Sequence, residues 1–478
     1  MFLNRFSEIK SLKSLFDLNK ASIAVCKGRR RIGKSRLIEE FGGHVDTFIN
    51  IQGLAPRKGI TKKSQLAAFG EQLSKNTPLP TLTPDSWSQA FSLLNTVIGD
   101  SKTVVFLDEI SWMALGEKDF PGLLKIAWDT ELSKHPNLIL VLCGSVSSWI
   151  DDNILKNTGF RGRISVCLCV KELDLFYCNQ FWDKAPGEIS SFEKLKLLSI
   201  TGGVPKYLEE INLRQSAEDN INRLCYRADG YLFKEYNEIF KDSFGKRSPT
   251  YKKIIKKLST GSFKADDIST HLGWKRGGKI NKYLEDLCRS GFVAKSVSNA
   301  PDTKPTNRNI KFRLADNYLR FYLRYIKPVE HQVEQGLYRF VGLESLPEWE
   351  IIMGFQFENL VLKNIRSVCE SIGLNMSTIK NASPYFQKKT QKKTRCQIDL
   401  LIETRYTLYV CEIKFRKKIE NSVISEVSKK IQDLIYPKRF TVRPVLIYVG
   451  ELSPGIKESD FFSSVISFEK LLTFPVGV

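Results

Sequence analysis

Gly28-Arg29-Arg30-Arg31-Ile32-Gly33-Lys34-Ser35 is the stretch on which the fold turns. It has the form G-x-x-x-x-G-K-S, in which the glycines let backbone N–H groups curl around phosphate oxygens. Before it, Ser22-Ile23-Ala24-Val25-Cys26 is an apolar run sized for one buried parallel strand. After it, Arg36-Leu37-Ile38-Glu39-Glu40-Phe41 continues as a helix whose positive end faces the loop. This strand–loop–helix context predicts a nucleotide site. Arg29, Arg30, Arg31 and Ile32 line the cradle, Lys34 reaches the β- and γ-phosphates, and the Ser35 hydroxyl ligates Mg²⁺. The alternative is a glycine-rich turn with no ligand.

Such a site needs a second strand that ends in carboxylates. Thr103-Val104-Val105-Phe106-Leu107 runs into Asp108-Glu109, so Asp108 is expected to hold the Mg²⁺ and Glu109 to polarise the attacking water. A third apolar run, Leu138 to Cys143, ends in Gly144-Ser145. Ser145 is placed either to sense the γ-phosphate or to cap the next helix. Arg161 and Arg163 precede the run Ile164 to Leu168. Either suits an arginine finger, in cis or toward a neighbouring subunit of a homo-oligomer. Strands alternating with helices from residue 20 to 170 predict a doubly wound α/β domain with a mainly parallel sheet.

Beyond this region, 478 residues exceed one compact core. The formal net charge of +21 favours an anionic partner, nucleic acid first and an anionic membrane surface second. Ten cysteines stand singly without C-x-x-C spacing, which reads as buried reduced thiols. The start is broken by Asn4, Arg5, Glu8 and Lys10, no apolar run has membrane-spanning length, and the chain reads as cytoplasmic.

The opening Phe2-Leu3-Asn4-Arg5…Glu8, the loop 28–35, Phe106-Leu107-Asp108-Glu109 and Thr201-Gly202-Gly203-Val204-Pro205-Lys206-Tyr207 together resemble the archaeal-type ATPases of the AAA+/STAND-like P-loop class, also found in bacteria. The resemblance implies ATP as the nucleotide, an Asn/Arg/Glu element before the first strand and a helical lid after the core. The absence of N-K-x-D after the third strand agrees with ATP over GTP. The expected boundaries are an ATPase core at 1–180 and a lid at 181–245.

A winged helix-turn-helix and linker helix are expected at 246–330. Tyr251–Leu258 is amphipathic with Ile254, Ile255 and Leu258 inward, and two short helices and a hairpin follow. The third helix, opened by Lys275, Arg276 and Lys279, would be the reading helix on DNA. Many such modules bind only protein, so both partners stay open. Asp316 to Ile326 resembles the linker helix that leaves this module in the family.

Residues 345–478 hold a second constellation. Glu358 sits on a helix at 351–369, a basic stretch follows (Lys388, Lys389, Lys392, Lys393, Arg395), and then Ile398-Asp399 and Cys411-Glu412-Ile413-Lys414 fall on two strands. A hairpin turning at Thr404-Arg405 pairs residue 399 with 410 and places Asp399, Glu412 and Lys414 on one face, where the acids could share one Mg²⁺. An acid followed by E-x-K resembles the PD-(D/E)xK, restriction-endonuclease-like fold. The resemblance implies metal ligation by Asp399 and Glu412, assistance by Lys414, and Glu358 as a further acid. A clear Pro before Asp399 is missing. The expected function is an ATP-hydrolysing, DNA-associated protein whose P-loop domain regulates a metal-dependent nuclease. The alternative is a nucleotide-driven switch or transcription regulator with an inert nuclease fold.

Overall fold

The computed structural model describes residues 3–145, 147–275, 277–303, 309–387 and 394–473. Phe2, Arg276, Lys388, Lys389, Lys392 and Lys393 lie outside the described residues. Two compact units emerge: residues 1–171 with 242–244 and 289–291, and the remainder.

Five parallel strands build the first unit: β1 Ser22–Lys27, β2 Thr47–Gln52, β3 Thr103–Asp108, β4 Leu138–Gly144 and β5 Ile164–Cys169. Their order is β2-β3-β4-β1-β5, with Val25 opposite Leu142 and Phe106 opposite Val141. The near-continuous apolar runs are explained by burial on both faces. Ile23, Val25, Val105, Leu107, Leu140 and Leu142 pack one way, against Trp87, Phe91 and Phe120. Ala24, Cys26, Val104, Phe106, Ile139 and Val141 pack the other way, against Leu12, Leu37 and Phe41. Each of these large side chains contributes roughly 1.5–3 kcal/mol on burial. The phosphate loop leaves the C-terminal end of β1, which lies inside the sheet between β4 and β5, the position where open α/β sheets bind ligands. β5 is an edge, and it exposes Cys167 and Cys169. The reading of all ten cysteines as buried is corrected there and at the half-buried Cys288, although all ten are free thiols.

After the helix Leu175–Asn179 come helices Ser191–Thr201, Pro205–Glu209, Ala217–Cys225 and Tyr231–Phe244, the last crossing into the first unit at 242–244, over the span where the lid is expected. Ser190 and Ser216 cap two of them by accepting the N–H of Glu193 and Asp219. Helices Ser248–Leu258, Ala265–His271 and Lys279–Arg289 follow, then the antiparallel pair β6 Val293–Val297 and β7 Ile310–Leu314. The Tyr251 hydroxyl donates to Asp286 Oδ2 at 2.6 Å, tying the first of these helices to the third. A short helix, Asn317–Phe321, leads onward.

The unit ends in a second sheet: β8 Asn381–Gln387, β9 Cys396–Glu403, β10 Thr407–Ile419, β11 Thr441–Leu452 and β12 Ser464–Ser467, in the order β12-β11-β10-β9-β8. β8, β9 and β10 are antiparallel neighbours, while β10, β11 and β12 run parallel. Helix Trp349–Lys363 packs on β10, and helix Ser422–Asp433 forms the crossover from β10 to β11. The β9–β10 register differs from the sequence expectation by two residues. Leu408 pairs with Glu403 and Val410 with Leu401, because the tight turn is Arg405-Tyr406, closed by the Thr404 N–H on the Thr407 carbonyl at 3.0 Å. A slip of two preserves the face of every side chain. Continued one step past the Cys411–Leu400 pair, this register sets Asp399 opposite Glu412.

Candidate active sites

At the first site, backbone crowding dictates the glycines. A Cβ on Gly28 would lie 2.4 Å from the Val170 carbonyl oxygen, and Val170 is fixed by its own N–H bond to Lys27 O at 2.8 Å. Gly33 takes a φ of +86° as it starts the helix Lys34–Gly42. Arg31 is also left-handed, with φ +69°, and Arg29 and Ile32 are buried. Lys34 is only 6% exposed, and its ammonium donates to the Arg29 carbonyl at 2.9 Å. The Ser35 hydroxyl donates to Asp108 Oδ2 at 2.7 Å, so the hydroxyl and carboxylate suited to share one Mg²⁺ already meet.

Glu109 follows at a left-handed φ of +50°. Its Oε2 accepts the Ser145 N–H at 3.2 Å and the Ser145 hydroxyl at 3.0 Å. Ser145 therefore holds the Glu109 carboxylate. Burial pushes the Glu109 carboxyl up and Lys34 partly offsets it, which moves the group toward the range useful for a base at neutral pH. Arg163 forks onto Asp129 at 2.6 and 2.9 Å, and Arg161 is exposed. Among the described residues, neither touches Lys34, Ser35, Asp108 or Glu109. One contributor went unassigned in the sequence: Arg5, buried at 6% exposure, donates to Ile32 O at 3.5 Å and to Lys171 O. It also pairs with Glu8 at 3.4 Å. The Asn/Arg/Glu element is thus a brace for the phosphate loop.

At the second site, Asp399 Oδ2 accepts the Ile413 N–H at 3.0 Å. Glu412 is 2% exposed and is held by Lys414 at 2.9 Å on Oε1 and by Lys430 on Oε2. Lys414 also reaches Glu426 at 2.7 Å. Burial, then the neighbouring Glu412, raises the Asp399 carboxyl to about 7. Burial likewise raises Glu358, while Arg313 and Arg320 oppose the rise. Asp399, Glu412 and Glu358 are therefore brought within electrostatic reach of one another, and Lys414 is joined to Glu412. Lys430 and Glu426 were missed by sequence reading; their i, i+4 spacing on the crossover helix was the available signal. Among the described residues no three His, Cys, Asp or Glu side chains gather as a metal-holding group. Two adjacent carboxylates remain, a hard oxygen pair of the kind that suits Mg²⁺.

Comparison with known proteins fits the first site. Residues 2–211 match a family described as an ATPase domain predominantly from Archaea. An uncharacterized protein of Methanocaldococcus jannaschii is 25% identical over 360 residues, which covers 75% of this chain and 76% of that protein. An uncharacterized ATP-binding protein of the same organism is 44% identical over 41 residues, 9% of this chain and 70% of that protein. Among solved structures, the Walker-type ATPase of Pyrococcus abyssi is similar in fold, with a TM-score of 0.51 and 20% identity, covering 68% of this chain and 96% of that one. Among the described residues, no helix is long and apolar enough to cross a membrane.

Proposed function

We propose that the archaeal-type ATPase domain at residues 2–211 hydrolyses ATP with Mg²⁺ and thereby regulates a metal-dependent nuclease in the C-terminal part, acting on DNA. In the first site Lys34 binds the terminal phosphates, Ser35 and Asp108 are the residues to hold Mg²⁺, and Glu109 orients the attacking water. Mg²⁺, when bound, supplies charge neutralisation on the phosphates. The three helices of 248–289 with the β6–β7 pair are read as a winged helix, with Lys275 and Lys279 toward DNA. The basic balance of +21 supports this reading.

The observation that carries the nuclease reading is the β9–β10 pairing, which sets Asp399 beside Glu412 with Lys414 on the same face. Asp399 and Glu412 are the metal-holding pair, and the cation would polarise the scissile phosphate. The Lys414 ammonium would orient a water whose oxygen attacks phosphorus; the P–O bond to one ester oxygen breaks with its electron pair going to that oxygen, and the proton lost by the water passes to solvent. Purified protein with Mg²⁺ and ATP should nick a plasmid, and Asp399→Ala should not. Equal cleavage by both sinks the nuclease reading. A second reading rests on the double pairing of Glu412 by Lys414 and Lys430: an inert nuclease fold in a nucleotide-driven switch. No cleavage by the wild type, with DNA binding that responds to ATP, would favour it.

A further inference from the structure

Within the second unit, a cavity of about 270 Å³ opens beside Asp399 and Glu358. It is walled on the other side by Arg313 of β7 and Arg320 of the helix Asn317–Phe321. Arg320 is 3% exposed. Its Nη2 donates to Leu314 O at 2.9 Å, and its guanidinium lies 4.9 Å from the Phe355 ring centre. Its Nε and Nη1, and the Nε of Arg313, are buried without a hydrogen-bond partner. Arg313 Nη1 is held by Asn359 Oδ1. The two guanidiniums repel each other, Glu358 and Asp316 offset part of that repulsion at Arg320, and burial opposes the ionisation of Glu358. A buried N–H without an acceptor is costly, and a cationic one more so.

Two guanidiniums that line one cavity, one fixed by Leu314 O and the Phe355 ring and the other by Asn359, are complementary to a tetrahedral oxyanion. We infer that Arg313 and Arg320 clamp a phosphodiester of a nucleic-acid backbone next to the Asp399–Glu412 pair. The hairpin region then contributes to the nuclease site, and not only to DNA contacts of its own. Resting on the nuclease reading for the identity of the ligand, this assignment places the strand within the cavity and gives the two arginines a binding role. Phe355 stacks beneath Arg320 and holds its plane.

The test is fluorescence anisotropy of a short labelled DNA on the whole protein in EDTA over a salt series, with wild type, Arg313→Gln, Arg320→Lys and Asp399→Asn. Melting curves of each protein check folding. Arg313→Gln should weaken binding about tenfold or more and flatten the slope of log affinity against log salt by roughly one. Arg320→Lys, which keeps the charge and loses the fork, should weaken binding while preserving the slope. Asp399→Asn removes a neighbouring negative charge and should bind tighter; wild type that binds through the arginines in EDTA yet leaves the DNA uncut once Mg²⁺ replaces the EDTA would refute the nuclease reading while upholding the clamp. Wild-type affinity and slope in folded Arg313→Gln overturns the clamp. So does stabilisation of wild type by inorganic phosphate, lost in Arg313→Gln, without any DNA binding; that result marks a small-anion site.

Discussion

Replacing Asp399 by Asn should make the metal-free protein more stable at alkaline pH, although it removes a residue of the proposed nuclease centre. The Asp399 carboxyl is raised from 3.8 to about 7 by burial and by Glu412. The folded state thus binds this proton more tightly than the unfolded chain. Its stabilising contribution is fully present below about pH 4 and is lost as pH rises through 7. Three units at about 1.4 kcal/mol each set a penalty of at most about 4 kcal/mol at pH 8, falling to between about 1 and 2 kcal/mol at pH 5. Asn is neutral throughout, and its amide oxygen can still accept the Ile413 N–H that Asp399 accepts at 3.0 Å. Thermal denaturation in EDTA should therefore show Asp399→Asn melting above wild type by on the order of 8 °C at pH 8 and much less at pH 5. Adding Mn²⁺ should raise wild type and narrow the gap. An Asn variant less stable than wild type at pH 8, or a gap equal at both pH values, would refute the electrostatic account.

Lys34→Ala should lose ATP affinity about a hundredfold or more by nucleotide titration, because the ammonium held at 2.9 Å from the Arg29 carbonyl is the cation available to the phosphates. Glu109→Gln should keep ATP binding and lower the hydrolysis rate about a hundredfold or more in a phosphate-release assay. Gly28→Ala should destabilise the loop by roughly 1–3 kcal/mol and weaken nucleotide binding, since its Cβ would meet Val170 O at 2.4 Å. Tyr251→Phe should cost about 1–3 kcal/mol in chemical denaturation by removing the 2.6 Å bond to buried Asp286.

What could be read from the sequence followed period and spacing. The runs at 22–26, 103–107 and 138–143 are apolar throughout because β1, β3 and β4 are covered on both faces, so strand identity and phosphate loop were legible together. The strand order was not, since nothing local tells β5 to sit beside β1 rather than β4. Edge status escaped for the same reason, which is why Cys167 and Cys169 were read as buried. The face shared by Glu412 and Lys414 was legible from alternation, and that of Asp399 from a two-residue hairpin turn. Its register was off by two because the chain turns at Arg405-Tyr406, where no Gly, Asn or Asp announces a hairpin. Lys430, Arg313 and Arg320 were hidden because their neighbourhood to the acids is made by tertiary packing, long after or before the motif in the chain.

Glu172 lends a last consequence to the second unit. One carboxylate oxygen, Oε2, accepts the Gly203 N–H at 3.3 Å and meets the Lys363 ammonium at 2.6 Å. Gly203 belongs to the turn before Pro205–Glu209, and Lys363 closes the helix that bears Glu358. The two segments thus hang from a common pivot. Losing the Glu172 carboxylate would unpin the turn and the end of that helix together.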